Sequence, residues 1–99
     1  MAFSLEFSPA AQGDLQLLRK FEQTRIVSAI ATQLKDEPLT ATRHRKQMKS
    51  NLIATWELRI GDFRAYYDVD EERELVLIRA VGVKHHNRLF IGGEEVEVP

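Results

Sequence analysis

The chain has 99 residues, 43% hydrophobic and 29% charged, with 14 basic against 15 acidic residues for a net charge of −1. That composition fits one domain with its own core and excludes wholesale disorder. No apolar run approaches the roughly 18 residues of a membrane span, and the lack of cysteine excludes a disulfide framework, thiolate metal sites and cysteine nucleophiles. The opening MAFSLEFSPAAQGD has no charged segment followed by an apolar one, so no secretory leader is expected. A core this small implies marginal stability or a partner that covers apolar surface.

Met1 to Phe7 alternates, with Phe3, Leu5 and Phe7 on one face, and predicts a strand with one buried side. Ser8-Pro9 predicts an N-cap followed by proline at the first helical position. A first helix is expected from about Pro9 to Lys20, with Leu15, Leu18 and Phe21 as its stripe. A second is expected from about Glu22 to Asp36, where Ile26, Ile30 and Leu34 recur every four residues. Pro38 stops it. The connection between the two is so short that they form an antiparallel helical hairpin.

Leu39 to Ile53 has no period and is expected to be a loop. It carries the run RHRKQMK, residues 43–49. Ala54 to Val69 holds the clearest local signal. Trp56, Leu58 and Ile60 alternate with polar residues, Gly61-Asp62 interrupts, and Phe63, Ala65, Tyr67 and Val69 resume the alternation. Two alternating runs around a two-residue loop predict a tight hairpin, with glycine first suiting type II′. Its register places Ile60 opposite Phe63, Leu58 opposite Ala65 and Trp56 opposite Tyr67 on the helix side. On the other side Arg59 faces Arg64, Glu57 faces Tyr66 and Thr55 faces Asp68.

Asp70 to Glu74 is a charged turn. Leu75 to Val81 is a third meander strand, with Val76, Ile78 and Ala80 on one face, Leu75, Leu77, Arg79 and Val81 on the other, and Gly82 as its end. A last hairpin spans about 88–98 around Gly92-Gly93. The predicted class is α+β in a single domain, 1–99: a strand, an antiparallel helical hairpin, then a meander of three or more antiparallel strands. The helices cover one sheet face, and the other is left to solvent or a partner.

Phosphate-binding glycine loops and the G-x-S-x-G elbow are missing. His85-His86 is poor spacing for a metal, since neighbours on a strand point to opposite faces; no metal or cofactor is expected. Arg59, Arg64 and Arg79 should share the face away from the helices, with Lys84 just beyond. Like charges directly opposite on paired strands destabilise them. Two explanations compete. The arginines pair with Glu57, Asp68 or the acids at 71–74 on an ordinary charged surface, or they form a guanidinium clamp for a phosphodiester.

The segments WELRIGDFRAYYDVD and VLIRAVGVKHHNRLF, with LEFSPAAQGDLQLL ahead of them, resemble the core signature of the RelE/ParE superfamily of type II toxins over about residues 3–90. The resemblance implies the same helical hairpin on an antiparallel sheet, a cytoplasmic location and a cognate antitoxin. RelE-like members cut mRNA in the ribosome, and ParE-like members poison DNA gyrase.

By position, Arg59 matches the arginine of a RelE-type site and Lys84 stands where another is common. Phe90 occupies the place of a frequent tyrosine and has no proton to transfer, so Tyr66, His85 or His86 is left for that role. The implied catalytic set is Arg59, Lys84, His85 and Tyr66. Lys46 and Lys49 lie where the upstream lysines of that site would be, and with the other cations of the basic run and the arginine face the RNA-binding candidates are Arg43, Arg45, Lys46, Lys49, Arg64 and Arg79. The function expected is that of a type II toxin of the RelE kind, a ribosome-dependent mRNA endoribonuclease with a partly degenerate site; the alternatives are a ParE-like inhibitor of gyrase and a non-toxic module that only binds an antitoxin.

Overall fold

A computed structural model describes residues 2–97. The order is β1 (Ser4–Phe7), α1 (Pro9–Gln16), α2 (Lys20–Leu34), β2 (Arg45–Gln47), β3 (Trp56–Ile60), β4 (Phe63–Asp70), β5 (Leu75–His85), β6 (Arg88–Ile91) and β7 (Glu94–Val96). Met1 of the expected first strand and Val98 of the expected last hairpin lie outside the described residues.

Local chemistry sets the ends of the helices. The Ser8 hydroxyl accepts from the Ala11 amide at 3.1 Å, capping α1 as Ser-Pro requires. α1 ends at Gln16 rather than Lys20. Its last amides, from Leu17 and Leu18, tighten onto the carbonyls of Asp14 and Leu15, three residues back instead of four. Arg19 is extended and starts the next helix, with its amide donating to the Glu22 carboxylate at 3.0 Å. α2 therefore begins two residues earlier than Glu22, because that glutamate sits in the first turn as a capping partner.

The strands form one sheet in the order β2-β3-β4-β5-β6-β7, with β1 parallel to β5. The β3–β4 hairpin has the register its alternation predicts, from Trp56–Tyr67 to Ile60–Phe63. Gly61 has φ +58° and Asp62 has no positive φ, the sign pattern of type II′. Ile26, Ile30 and Leu34 of α2, with Ala11 and Leu15 of α1, pack on Trp56, Leu58, Ala65, Tyr67, Val76 and Ile78. Each fully buried aliphatic side chain there contributes roughly 1.5–3 kcal/mol.

Four features depart from expectation. First, the 39–53 loop holds a short strand, β2, paired with β3. Second, the register of β4 and β5 shifts between Tyr66 and Tyr67, so that Tyr66 faces Ala80 while Tyr67 faces Ile78. Arg79 is the extra residue of this bulge. Alternation is reset there: Ala80 moves to the face away from the helices, and Val81 joins the helix-side core.

Third, β5 does not stop at Gly82 but runs on to His85. Gly82 is buried within it, where a Cβ would stand 2.8 Å from the Phe90 carbonyl oxygen. Fourth, the outer face is not bare. Tyr66, Ala80 and Leu89 form a second, smaller core there, packed by Met48, Ile53, Ala54 and Ile91. The 48–54 segment and the β6–β7 hairpin thus cover the centre of the surface that a bare-faced sheet would expose.

β1 borders residues 75–78 of β5, and β6 borders 82–85. The bulge lies between them, where among the described residues no strand pairs with that edge. α1 fills the gap: the Ser8 hydroxyl donates to the Arg79 carbonyl at 3.0 Å, and the Asp14 carboxylate accepts from the Val81 amide at 3.0 Å. The backbone groups freed by the bulge are satisfied by side chains. Among the described residues, no helix is long and apolar enough to cross a membrane.

Candidate functional site

The outer face is organised in rows set by strand register. One row runs from Lys46 to Glu57 and Tyr66, and ends at Ala80. The next runs from Arg59 to Arg64 and Gly82. Directly opposite residues have Cα atoms about 4.5–5.5 Å apart, so these two arginines are true neighbours. Their like charges are separated by burial. Arg59 is exposed, whereas Arg64 is 7% exposed. One Arg64 Nη donates to the carbonyls of Gly61 and Phe63, both at 2.8 Å, and its Nε has no partner. Arg64 is spent on holding the β3–β4 turn.

Tyr66 is buried, and its hydroxyl donates to the Glu57 carboxylate at 3.0 Å. Burial chiefly, then the Glu57 charge and that hydrogen bond, push its ionisation far above the ordinary phenol range, with Arg64 opposing. Tyr66 is therefore a neutral hydroxyl through the whole physiological range, with its O–H engaged in a hydrogen bond to a carboxylate. Arg79 pairs with Asp68 at 3.7 Å, and Asp68 also accepts from the Thr55 amide at 2.8 Å. This half-exposed ion pair is worth about 0.2–1 kcal/mol, so Arg79 is only loosely held.

Lys84 keeps the outward parity of Gly82, is exposed, and its amide donates to the Asp62 carbonyl at 2.7 Å. His85 has the opposite parity and leaves the set. It enters the β5–β6 turn, where His86 and Asn87 have φ of +51° and +64°, as a type I′ turn demands. The two histidine rings meet edge to face at 4.1 Å. Phe90 is opposite Val83 and so lies on the helix side, away from the arginines.

Within the basic run, Arg43, Lys46 and Lys49 are exposed. Arg45 is not part of that surface. It lies opposite Leu58 on the helix side of β2, is 8% exposed, and donates from one Nη to the carbonyls of Gln33 at 2.6 Å and Glu37 at 2.7 Å. The guanidinium closes the C-terminal end of α2, where the helix leaves carbonyls unpaired and the dipole is negative.

The structure brings together Arg59, Arg64, Lys46, Glu57 and Tyr66, with Lys84 beyond, and separates Arg45, His85 and Phe90 from them. Asn51 was not singled out by sequence. Its Oδ1 accepts from the Ile53 and Ala54 amides, and its Nδ2 donates to the Lys49 and Ala54 carbonyls. It shapes the segment that covers Tyr66. An asparagine closing its own turn is a readable signal.

The architecture is thus a helical pair on one face of a mostly antiparallel sheet, with exposed cations on the other face. The sequence matches the family of the ParE toxin of the type II toxin–antitoxin system parDE over residues 5–90, and the chain belongs to that family. The toxin–antitoxin complex RelBE2 (Rv2865-2866) from Mycobacterium tuberculosis contains a chain with 27% identity and a TM-score of 0.74. The match covers 85% of this chain and 93% of that one. The archaeal RelE–RelB complex from Pyrococcus horikoshii OT3 gives 20% identity and a TM-score of 0.62, over 79% of this chain and 90% of that one, and speaks for the fold alone. No curated protein matches the sequence significantly.

Proposed function

We propose that this chain is a toxin that disables its target by binding rather than by cutting RNA. DNA gyrase is the target that the ParE resemblance implies, and a cognate antitoxin restrains the protein in the cytoplasm. The observation carrying this reading is the state of Tyr66. Cleavage through a 2′-hydroxyl needs a base and an acid around the scissile phosphate. Tyr66 is buried with its proton committed to Glu57, His85 has the wrong parity, and Phe90 has no proton to transfer and lies on the helix side. Among the described residues, none of the tyrosine and histidine candidates stands beside Arg59 with a proton free to transfer. A supercoiling assay tests the reading: gyrase slowed in proportion to added protein supports it, and unaffected gyrase contradicts it.

A second reading keeps RNA as the target. Arg59, Lys46, Lys49 and Lys84 are exposed, and the ion pairs found among the described residues, Arg79–Asp68 and Arg88–Glu95, involve none of them. Free cations suit phosphate contacts on ribosome-bound mRNA. Codon-phased mRNA ends appearing on induction would select this reading.

A further inference from the structure

α1 and the β6–β7 turn leave a crevice of about 170 Å³ between them. That is below the ~300–1,000 Å³ of small-molecule sites and is of a size for one side chain. Leu17, Leu18, Val81, Val83 and Phe90 supply apolar walls, and among the described residues Asp14 is the one charged side chain lining it. One Asp14 oxygen is taken by the Val81 amide. The other, Oδ1, lies at the Gly92 turn, 3.3 Å from where a Cβ on Gly92 would stand. No cation stands within ion-pair distance of Asp14 among the described residues. Burial pushes its carboxyl above the usual carboxylate range despite the Val81 bond. Leu17 at the rim is 66% exposed, as is Phe21 four residues on.

The free Asp14 oxygen has no hydrogen-bond donor from the described residues and reaches solvent at the mouth of an apolar slot, so it is open to a donor from outside. A nucleic acid or an acidic peptide is repelled by it. A purely apolar side chain desolvates it further without compensation. A long aliphatic stem ending in a cation meets both requirements, because such side chains bury their methylenes and keep the charge at the polar end. We propose that this crevice receives one lysine or arginine side chain from a partner protein, its stem against Leu17, Val83 and Phe90 and its cationic head on the Asp14 carboxylate. Apolar residues flanking that cation in the partner would cover exposed Leu17. The inference does not depend on which target the toxin takes.

The test uses the isotopically labelled full chain and three capped tripeptides, Leu-Lys-Leu, Leu-norleucine-Leu and Leu-Glu-Leu, with amide shifts followed by NMR. The lysine peptide should shift Val81, Gly92 and Gly93 in a saturating way and bind about tenfold more tightly than the norleucine peptide, the scale of one charge-assisted contact. The glutamate peptide should be weakest. Asp14→Asn keeps an acceptor for the Val81 amide and should equalise the lysine and norleucine peptides. Equal binding of those two by the unaltered protein overturns the proposal, as do shifts that map elsewhere. A lysine preference that survives in the variant overturns it too.

Discussion

Tyr66 and Glu57, opposite each other on β4 and β3, are joined by a 3.0 Å hydrogen bond in which the hydroxyl donates to the carboxylate. The arrangement removes one of the three side chains, with His85 and His86, that the sequence offers to replace a missing tyrosine, and it ties two strands of the outer face together. It also makes a prediction that titration can check.

The chain has two tyrosines, and both are buried. Tyr67 donates to the Pro38 carbonyl at 2.7 Å, and burial raises its ionisation as well, with Arg45 opposing. Both folded values lie above the ordinary 10.0. Stability from these groups is thus complete below about pH 10 and declines as pH rises toward the folded values. Absorbance of tyrosinate should appear only together with loss of the fold, in one alkaline transition. A separate, reversible tyrosine titration near pH 10 in the folded protein would contradict the burial.

Arg45 and Lys46 are adjacent in sequence and opposite in role. Arg45→Met removes two charge-assisted bonds to the end of α2 and should cost about 2–4 kcal/mol in urea unfolding. Lys46→Ala should stay within roughly 0.5 kcal/mol of the parent. Similar costs for both would place Arg45 in solvent.

How much of this was legible beforehand differs by element. The β3–β4 hairpin was, from Trp56–Tyr67 to Ile60–Phe63, because the runs on either side of Gly61-Asp62 both alternate and the turn is two residues long. The bulge was not. Along VLIRAVGV the apolar residues are nearly continuous, so a reset of parity at Arg79 leaves no trace in the pattern. β2 spans three residues, too short for a period to show. Arg45 sits in a run of cations where sequence treats every member alike, and its separation comes from the far end of α2. The covering of the outer face was hidden for a similar reason. Met48, Ile53 and Ile91 meet on Tyr66 and Ala80 only after two distant segments fold over the sheet.

Glycine-to-alanine substitutions should have opposite signs at two positions. At Gly82 a methyl would press on the Phe90 carbonyl and the Leu89 and Ile91 side chains, so Gly82→Ala should lose about 1–3 kcal/mol by overpacking. It should also raise amide exchange in β6. Gly13, in α1, has nothing within 4 Å of a new Cβ, so Gly13→Ala should gain roughly 0.5–1 kcal/mol from helix propensity. Thermal unfolding of the two variants checks both signs. A neutral Gly82→Ala would contradict the close approach of β6.

The decisive measurement for action by binding rather than cutting is the mapping of mRNA 5′ ends after induction in cells that stop growing. A toxin that acts by binding should arrest growth with no new codon-phased ends. Phased ends that vanish with Arg59→Ala would show that the exposed arginine works on RNA, and would contradict action by binding.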